Sequence, residues 1–214
     1  MSQKNIKTII FDIDGTITDD VSWLKLTESL GGSRSDFSHI FAQFRNGEID
    51  YQTCKEKLMD IWIKTGKANK QEFEKIFRSM DLRNGAVEVI NYLKIKYKIC
   101  LISGSMDLYV KAVTEKLGVR DSFANTSLYW DEFGNLVDLD YYPNQAEKKL
   151  EQFNHFIKEN NLAKENCVAV GDSENDSLLF QEIGRGIVIG SSCPELERFS
   201  SAKIGDIGEL RNIL

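Results

Sequence analysis

The chain has 214 residues, a net charge of −6, 42% hydrophobic and 28% charged residues. That length suits one sizeable core with an accessory subdomain. An acidic chain with scattered Lys and Arg has no basic patch for a nucleic-acid backbone, although one local positive site would suffice for a phosphorylated metabolite. No stretch is long and apolar enough to span a bilayer. Met1–Lys7 is polar, leads straight into a strand-like segment and lacks the apolar stretch of a signal peptide, so the expected location is cytoplasmic.

The first apolar run, Thr8–Asp12, reads as a buried strand and continues as Ile13-Asp14-Gly15-Thr16. Strand alternation puts Asp12 and Asp14 on one side, and Gly15 lets the chain turn away. From about Ser22 to Met80 there is no strand pattern. Leu58, Ile61 and Trp62 mark one amphipathic helix, Phe73, Ile76, Phe77 and Met80 another, and Gly31-Gly32 and Asn46-Gly47 punctuate the segment as turns. This stretch is expected to be a small helical cap, residues 19–82, packed by its own apolar side chains and inserted into a core made of 1–18 and 83–214. Trp23 and Trp62 are expected to serve its packing.

Ala86, Val89, Ile90 and Leu93 recur at helical spacing, and a second strand follows at Tyr97–Ser103, ending in Gly104-Ser105. Leu108, Val110, Val113 and Leu117 mark the next helix. Leu128–Trp130 and Leu136–Leu139 form a hairpin pattern, and Ala146–Asn160 reads as a helix. Cys167–Gly171 is a third strand, followed by Asp172-Ser173-Glu174-Asn175-Asp176, and Gly186–Ile189 a fourth; Cys193–Leu214 would complete the sheet edge and add a last helix. Strands alternating with helices predict an α/β fold, a doubly wound, mostly parallel, Rossmann-like sheet with right-handed crossovers. The four cysteines, Cys54, Cys100, Cys167 and Cys193, are widely spaced without a CxxC pair, and His39 and His155 share no ligand spacing, so reduced thiols and no zinc site are expected.

In open α/β sheets, sites form beyond the carboxyl ends of strands. Three strands here would deliver Asp12 and Asp14, Ser103, and Asp172 and Asp176 to one edge. Converging carboxylates repel unless a cation joins them, and hard oxygen donors favour Mg²⁺. A carboxylate can attack a phosphoryl group, a second can donate a proton to the leaving oxygen and then take one from water, and a hydroxyl, backbone N–H groups and a lysine can hold the remaining oxygens. In the helix Ala146–Asn160, Lys149 lies roughly 50° from the centre of the apolar face and Lys148 roughly 150° from it, at ~100° per residue. Lys149 therefore points toward the sheet. There it either meets an anionic partner or snorkels at the edge. Taken singly, the first motif could be an acidic turn, Gly171–Asp176 a helix cap and Ser103 a strand-end hydroxyl bonded to backbone.

Asp12-x-Asp14-Gly15-Thr16, Ser103, a lysine near position 149 and Gly171-Asp172-x-x-x-Asp176 together resemble the four motifs of the haloacid dehalogenase superfamily, with Lys149 and Lys148 both at hand for the third. The early helical insertion, Ser103-Gly104-Ser105-Met106-Asp107 and Ser122-Phe123-Ala124-Asn125 resemble its phosphoserine phosphatase branch. The resemblance implies a Mg²⁺-dependent phosphomonoester hydrolase working through an aspartyl-phosphate. Asp12 would be the nucleophile and Asp14 the general acid and base. Asp12, Asp172 and the Asp14 carbonyl would bind metal, Ser103, Gly104 and Lys149 would grip phosphate, and Thr16 and Asp176 would support them. The branch also implies a Glu after the first motif and an Arg in the cap to hold serine. Ungapped alignment puts Val21 and Glu56 at those positions, with Asp19, Asp20, Lys55 and Lys57 nearby. The chemistry therefore transfers and serine recognition does not. The expected partner is a small phosphorylated substrate, with neither nucleic acid nor membrane, and the chain a monomer or homodimer. Two alternatives are a phosphotransferase using the same intermediate and a non-catalytic phosphate-binding regulatory module.

Overall fold

Short apolar runs rich in Ile and Val cannot leave either face in water, and the sheet is built from them. The computed structural model describes residues 6–190 and 193–214; the reading of Met1–Lys7 rests largely on residues 1–5, which lie outside the described ones. The strands are β1 (Thr8–Phe11), β2 (Lys98–Met106), β3 (Asp121–Trp130), β4 (Leu136–Tyr141), β5 (Cys167–Gly171), β6 (Gly186–Ile189) and β7 (Ser200–Ile204). Every residue of β1, β5 and β6 is buried, as expected of strands covered on both faces. The seven-stranded order is β4-β3-β2-β1-β5-β6-β7. All neighbours run parallel except β3 and β4. From β1 the chain winds outward through β2 to β4, then crosses back to β5 on the other side of β1. That reversal opens a crevice beyond the carboxyl ends of β2, β1 and β5.

The helices in chain order are α1 (Ser22–Leu30), α2 (Arg34–Arg45), α3 (Tyr51–Ile63), α4 (Lys70–Ser79), α5 (Ala86–Leu93), α6 (Asp107–Leu117), α7 (Gln145–Glu159), α8 (Ser177–Ile183), α9 (Pro194–Glu197) and α10 (Leu210–Ile213). Strand alternation divides the core in two. Ile9, Phe11, Leu101, Val168 and Val170 pack with Val89 and Ile90 of α5, Val113 of α6 and Leu210 of α10. Ile10, Cys100, Ile102, Ala169 and Val188 pack with Phe153 and Phe156 of α7, Phe180 of α8 and Leu196 of α9. Carried one residue past β1, the same alternation puts Asp12 on the α7 side.

Helices α1 to α4 lie between β1 and α5 in sequence. Ser33, Asp50 and Asn69 cap α2, α3 and α4 by accepting from the backbone N–H groups of Asp36, Thr53 and Glu72. Their core is aromatic. Trp62 is fully buried, with ring centroids 5.9 Å from Trp23, 6.0 Å from Phe37 and 5.7 Å from Phe73, and its Nε1–H donates to Thr27 Oγ1 at 2.8 Å. This core is not self-contained. Phe73 packs 5.2 Å from Trp130, and Leu26, Trp62 and Phe77 join one buried cluster with Tyr109, Leu128 and Leu136. Four short helices bury too little surface to close a core alone, so they share that of the hairpin and α6.

Several strand bounds differ from expectation. β1 stops at Phe11, β2 runs on to Met106 and β3 starts at Asp121. The first half of β3 pairs in parallel with β2 and the second half antiparallel with β4. Its polar residues Asp121, Ser122 and Asn125 hide the strand from any hydrophobicity pattern. β7 is likewise a mostly polar edge strand, alternating half-buried and exposed up to the buried Ile204. Among the described residues no helix is long and apolar enough to cross a membrane.

Both connections to the inserted helices meet at Arg83. Its backbone N–H donates to Ile17 O at 2.8 Å, and its guanidinium donates to Thr16 O at 3.0 Å and Gly15 O at 2.6 Å and pairs with Asp19 at 3.0 Å. Arg83→Met keeps the stem and leaves two carbonyls unbonded. It is expected to cost about 1.5–3 kcal/mol in urea unfolding; an unchanged midpoint would contradict this buckle.

Candidate active site

The strand ends place their polar residues through local backbone bonds. Asp12 donates its N–H to Val170 O at 3.0 Å, which locks the residue after β1 against the end of β5. The chain then turns at once, because the N–H groups of Thr16, Ile17 and Thr18 all donate to Ile13 O. Gly15 sits at φ +75°, and a Cβ there would lie 2.2 Å from Asp172 Oδ2, so no side chain fits between the two loops. After β5, residues Glu174–Asp176 form a single 3-10 turn, and Ser173 N–H donates to Asp176 Oδ2 at 3.5 Å. Gly171 lets Asp176 fold back: a Cβ on it would meet Asp176 Oδ2 at 2.3 Å.

Lys149 joins these loops. Its spacing to Phe153 and Phe156 puts all three on the buried face of α7, which Asn144 caps. The side chain is completely buried. Its Nζ lies 2.9 Å from Asp12 Oδ1, 2.7 Å from Asp176 Oδ1 and 2.6 Å from Asn175 Oδ1. Lys149 therefore does not snorkel; Lys148 stays partly exposed and pairs with Glu151. Asp12, Asp172 and Asp176 each offer a carboxylate oxygen within 4.8 Å of the others. Thr16 Oγ1 donates to Asp172 Oδ1 at 3.5 Å. Ser103 is buried, and its Oγ accepts from Ser105 N–H at 3.1 Å; it lines the same cavity as Gly104.

Asp14 lies beyond the strand, although it lines the same cavity as Asp12. It lies on the turn, and its Oδ2 accepts from Ser22 N–H at 3.1 Å and Ser22 Oγ–H at 2.6 Å. Ser22 Oγ in turn shares a hydrogen bond with Ser105 Oγ. Asp14 Oδ1 is buried with no hydrogen-bond partner among the described residues. The pair Ser22 and Ser105 was not legible from sequence: the two residues are 83 positions apart, and only the folded chain joins their hydroxyls.

Four carboxyl groups thus gather near one ammonium, which is bonded to two of them, Asp12 and Asp176. Burial is the main reason that Asp12, Asp14, Asp172 and Asp176 are each pushed up to about 6, even though Asp14 and Asp172 keep an edge on the cavity. The Lys149 ammonium opposes this at Asp12 and Asp176, as the Ser22 hydrogen bonds do at Asp14. For Lys149 itself burial favours loss of the proton, but the Asp12 and Asp176 carboxylates outweigh it and hold the ammonium firmly charged.

Above these groups lies a cavity of about 460 Å³. Its floor includes Asp12, Asp14, Ser103, Gly104 and Asp172, and its upper wall comes from α1, α2, α3 and β4. Val21 lines it, whereas Glu56 is exposed on α3 and bonded to Gln52, outside the wall. The neighbouring Lys55 takes the inward position. Trp23 stacks on Trp62 as packing requires, yet it also lines the cavity. Phe41, Phe44, Tyr51 and Tyr141 join it there; their amphipathic positions read equally as core in the sequence.

Ser22→Ala removes one bond to the Asp14 carboxylate and keeps the backbone N–H. The Asp14 carboxyl is expected to titrate above its present value of about 6, read by carboxyl-carbon NMR against pH. An unmoved or lowered midpoint would show that the hydroxyl does not bear on that charge.

Comparisons with known proteins agree with this geometry. Residues 6–184 match the profile of the haloacid dehalogenase-like hydrolases. The phosphoserine phosphatase of Methanocaldococcus jannaschii is 27% identical over 188 residues, covering 85% of this chain and 84% of that protein. The phosphoserine phosphatase of Campylobacter jejuni subsp. doylei is 27% identical over 212 residues, 98% of both. A solved phospho-aspartyl intermediate analogue of phosphoserine phosphatase superposes with a TM-score of 0.76 at 24% identity, over 99% of this chain and 100% of that one, and so shares the fold. With a profile match of that extent, the chain belongs to the haloacid dehalogenase-like hydrolases.

Proposed function

We propose that this hydrolase cleaves small phosphomonoesters with Mg²⁺, through a phosphoryl group carried transiently on Asp12. The observation that carries the reading is the buried Lys149 ammonium 2.9 Å from Asp12 Oδ1, with Asp14 and Asp172 on the same cavity floor and Asp176 buried against Lys149. In the first step an Asp12 oxygen attacks phosphorus and the ester P–O bond breaks. Asp14, protonated, gives its proton to the departing alkoxide. In the second step Asp14 takes a proton from water, the water oxygen attacks phosphorus, and the Asp12–phosphorus bond breaks to release inorganic phosphate. An Asp14 carboxyl near 6 can serve in both directions around neutral pH.

Lys149, the Ser103 hydroxyl and the Gly104 N–H would hold the non-bridging oxygens, while Asp176 orients Lys149 and Thr16 steadies Asp172. The carboxylates of Asp12 and Asp172 and the main-chain carbonyl of Asp14 would hold Mg²⁺. The donor set fits: hard oxygens only, two of them from Asp12 and Asp172, whose carboxylates lie with that of Asp176 within 4.8 Å of one another, and more buried negative charge than Lys149 alone balances. Bound there, the ion neutralises charge between an anionic nucleophile and an anionic ester. Residues 19–82 act in this reading as a cap over a core of 1–18 and 83–214, excluding water from the first step.

Asp12→Asn is nearly isosteric. It is expected to lower Mg²⁺-dependent phosphate release by about a thousand-fold or more with an unchanged circular dichroism spectrum; an unaffected rate would sink the mechanism. The metal also has a signature without turnover. Carboxyls at about 6, against 3.8 for the ordinary group, stabilise the metal-free fold when protonated, fully below about pH 4, and that contribution is lost as pH rises through about 6. Mg²⁺ competes with those protons, so its increase in Tm should be larger at pH 7.5 than at pH 5. An equal shift at both pH values, or none, would argue against a metal on these groups.

A further inference from the structure

The alcohol half of the substrate must occupy the upper cavity, whose chemistry is unusual for an amino-acid ester. Its aromatic members form one connected belt. Trp23 lies 6.0 Å from Phe37 and 5.7 Å from Tyr141, Tyr141 lies 6.2 Å from Phe41, Phe41 lies 6.3 Å from Phe44, and Phe44 lies 6.4 Å from Tyr51. The Tyr51 hydroxyl also accepts from Tyr141 N–H at 2.9 Å, which fixes α3 against β4. Among the described residues, the charged members of the lining are Asp12, Asp14 and Asp172 on the floor and Arg45 and Lys55 above. Both cations already have partners. Lys55 lies 2.9 Å from Asp138 and Arg45 lies 3.3 Å from Glu174 across the mouth. Among the described residues an ammonium in the upper cavity would find no carboxylate in the lining, and a substrate carboxylate would have to draw Arg45 or Lys55 from its pair. A charge desolvated without a partner is costly.

We infer that the enzyme's preferred substrate is a phosphomonoester of an uncharged alcohol bearing an aromatic ring or similar bulky apolar group, seated in the belt of Trp23, Phe37, Phe41, Phe44, Tyr51 and Tyr141. The inference rests on the proposed phosphatase chemistry for the position of the phosphate. A ring has apolar faces to stack on at two or more sides, and a cavity of about 460 Å³ is within the range of about 300–1,000 Å³ that holds drug-sized ligands. A cationic alcohol such as choline would also suit aromatic faces, but the charged side chains of that wall, Arg45 and Lys55, offer it no counter-charge.

The test compares esters whose leaving alcohols are all aliphatic, so that leaving-group acidity does not set the order. Hydrolysis with Mg²⁺ is measured for 2-phenylethyl phosphate, ethyl phosphate, phosphoserine and phosphocholine. In parallel, calorimetry on the wild-type protein compares 3-phenylpropylphosphonate, propylphosphonate and 2-amino-4-phosphonobutanoate, which need no turnover. The expected result is kcat/KM about tenfold or more higher for 2-phenylethyl phosphate than for the others, with the aryl phosphonate binding tighter by a similar factor. Phe41→Ala should remove most of that advantage, lowering kcat/KM for 2-phenylethyl phosphate by a larger factor than for ethyl phosphate, and an equal loss on both esters would count against the belt. Phosphoserine or phosphocholine leading the series, or no affinity gain from the phenyl group, overturns the inference while leaving the phosphatase reading intact. No turnover of any ester with the aryl phosphonate still preferred overturns the phosphatase reading and leaves the cavity assignment standing.

Discussion

The burial of one ammonium among carboxylates is the constraint on which the rest of this architecture depends. Lys149 has no access to water, so its charge must be answered by groups brought to it. Asp12 comes from the end of β1, Asp176 from the turn after β5, and Asn175 from the same turn. That convergence needs β1 between β2 and β5, α7 on the face that Asp12 shares with Ile10, and two loops close enough to exclude a Cβ at Gly15 and Gly171. Breaking any one of these would strand a charge in a low-dielectric interior, where removal of one partner is far more damaging than it is for an exposed pair.

The same constraint leaves the floor electrostatically unfinished. Lys149 balances part of the charge of Asp12, Asp172 and Asp176, and burial then drives all three carboxyls upward. A site in that condition favours whatever brings positive charge or protons, which is the physical basis for reading it as a cation and phosphoryl site. Asp14 is handled differently. It is set apart from the cluster by the turn after Ile13 and held from the far side by Ser22, the first residue of α1. The inserted helices therefore do more than cover the floor: they supply the hydrogen bonds of one of its carboxylates as well as the aromatic wall above it.

Much of this was legible in the residue order. Buried strands announce themselves as continuous apolar runs, and polar residues just past them fall at the sheet edge. The 3.6-residue period turned Lys149 rather than Lys148 toward the sheet, and the fold decided between them by burying Lys149 on Asp12 and Asp176. β3 and β7 were less visible, since their polar residues pair at the outer parts of the sheet and leave no apolar run.

Local periodicity thus determined the α/β class, the positions of the strand-end carboxylates and the inward lysine. Only tertiary structure decided what lies opposite them. Val21 and Glu56 were singled out by alignment, yet the fold turns Glu56 to solvent and Lys55 inward, and already pairs Lys55 with Asp138 of β4. Trp23 and Phe41 carry the same apolar signature whether they fill a core or line a cavity, and the choice between the two was made by how α1 and α2 sit over β4. Periodicity reports which face of an element avoids water. It cannot report whether that face meets another side chain or an empty volume, because that depends on elements distant in sequence.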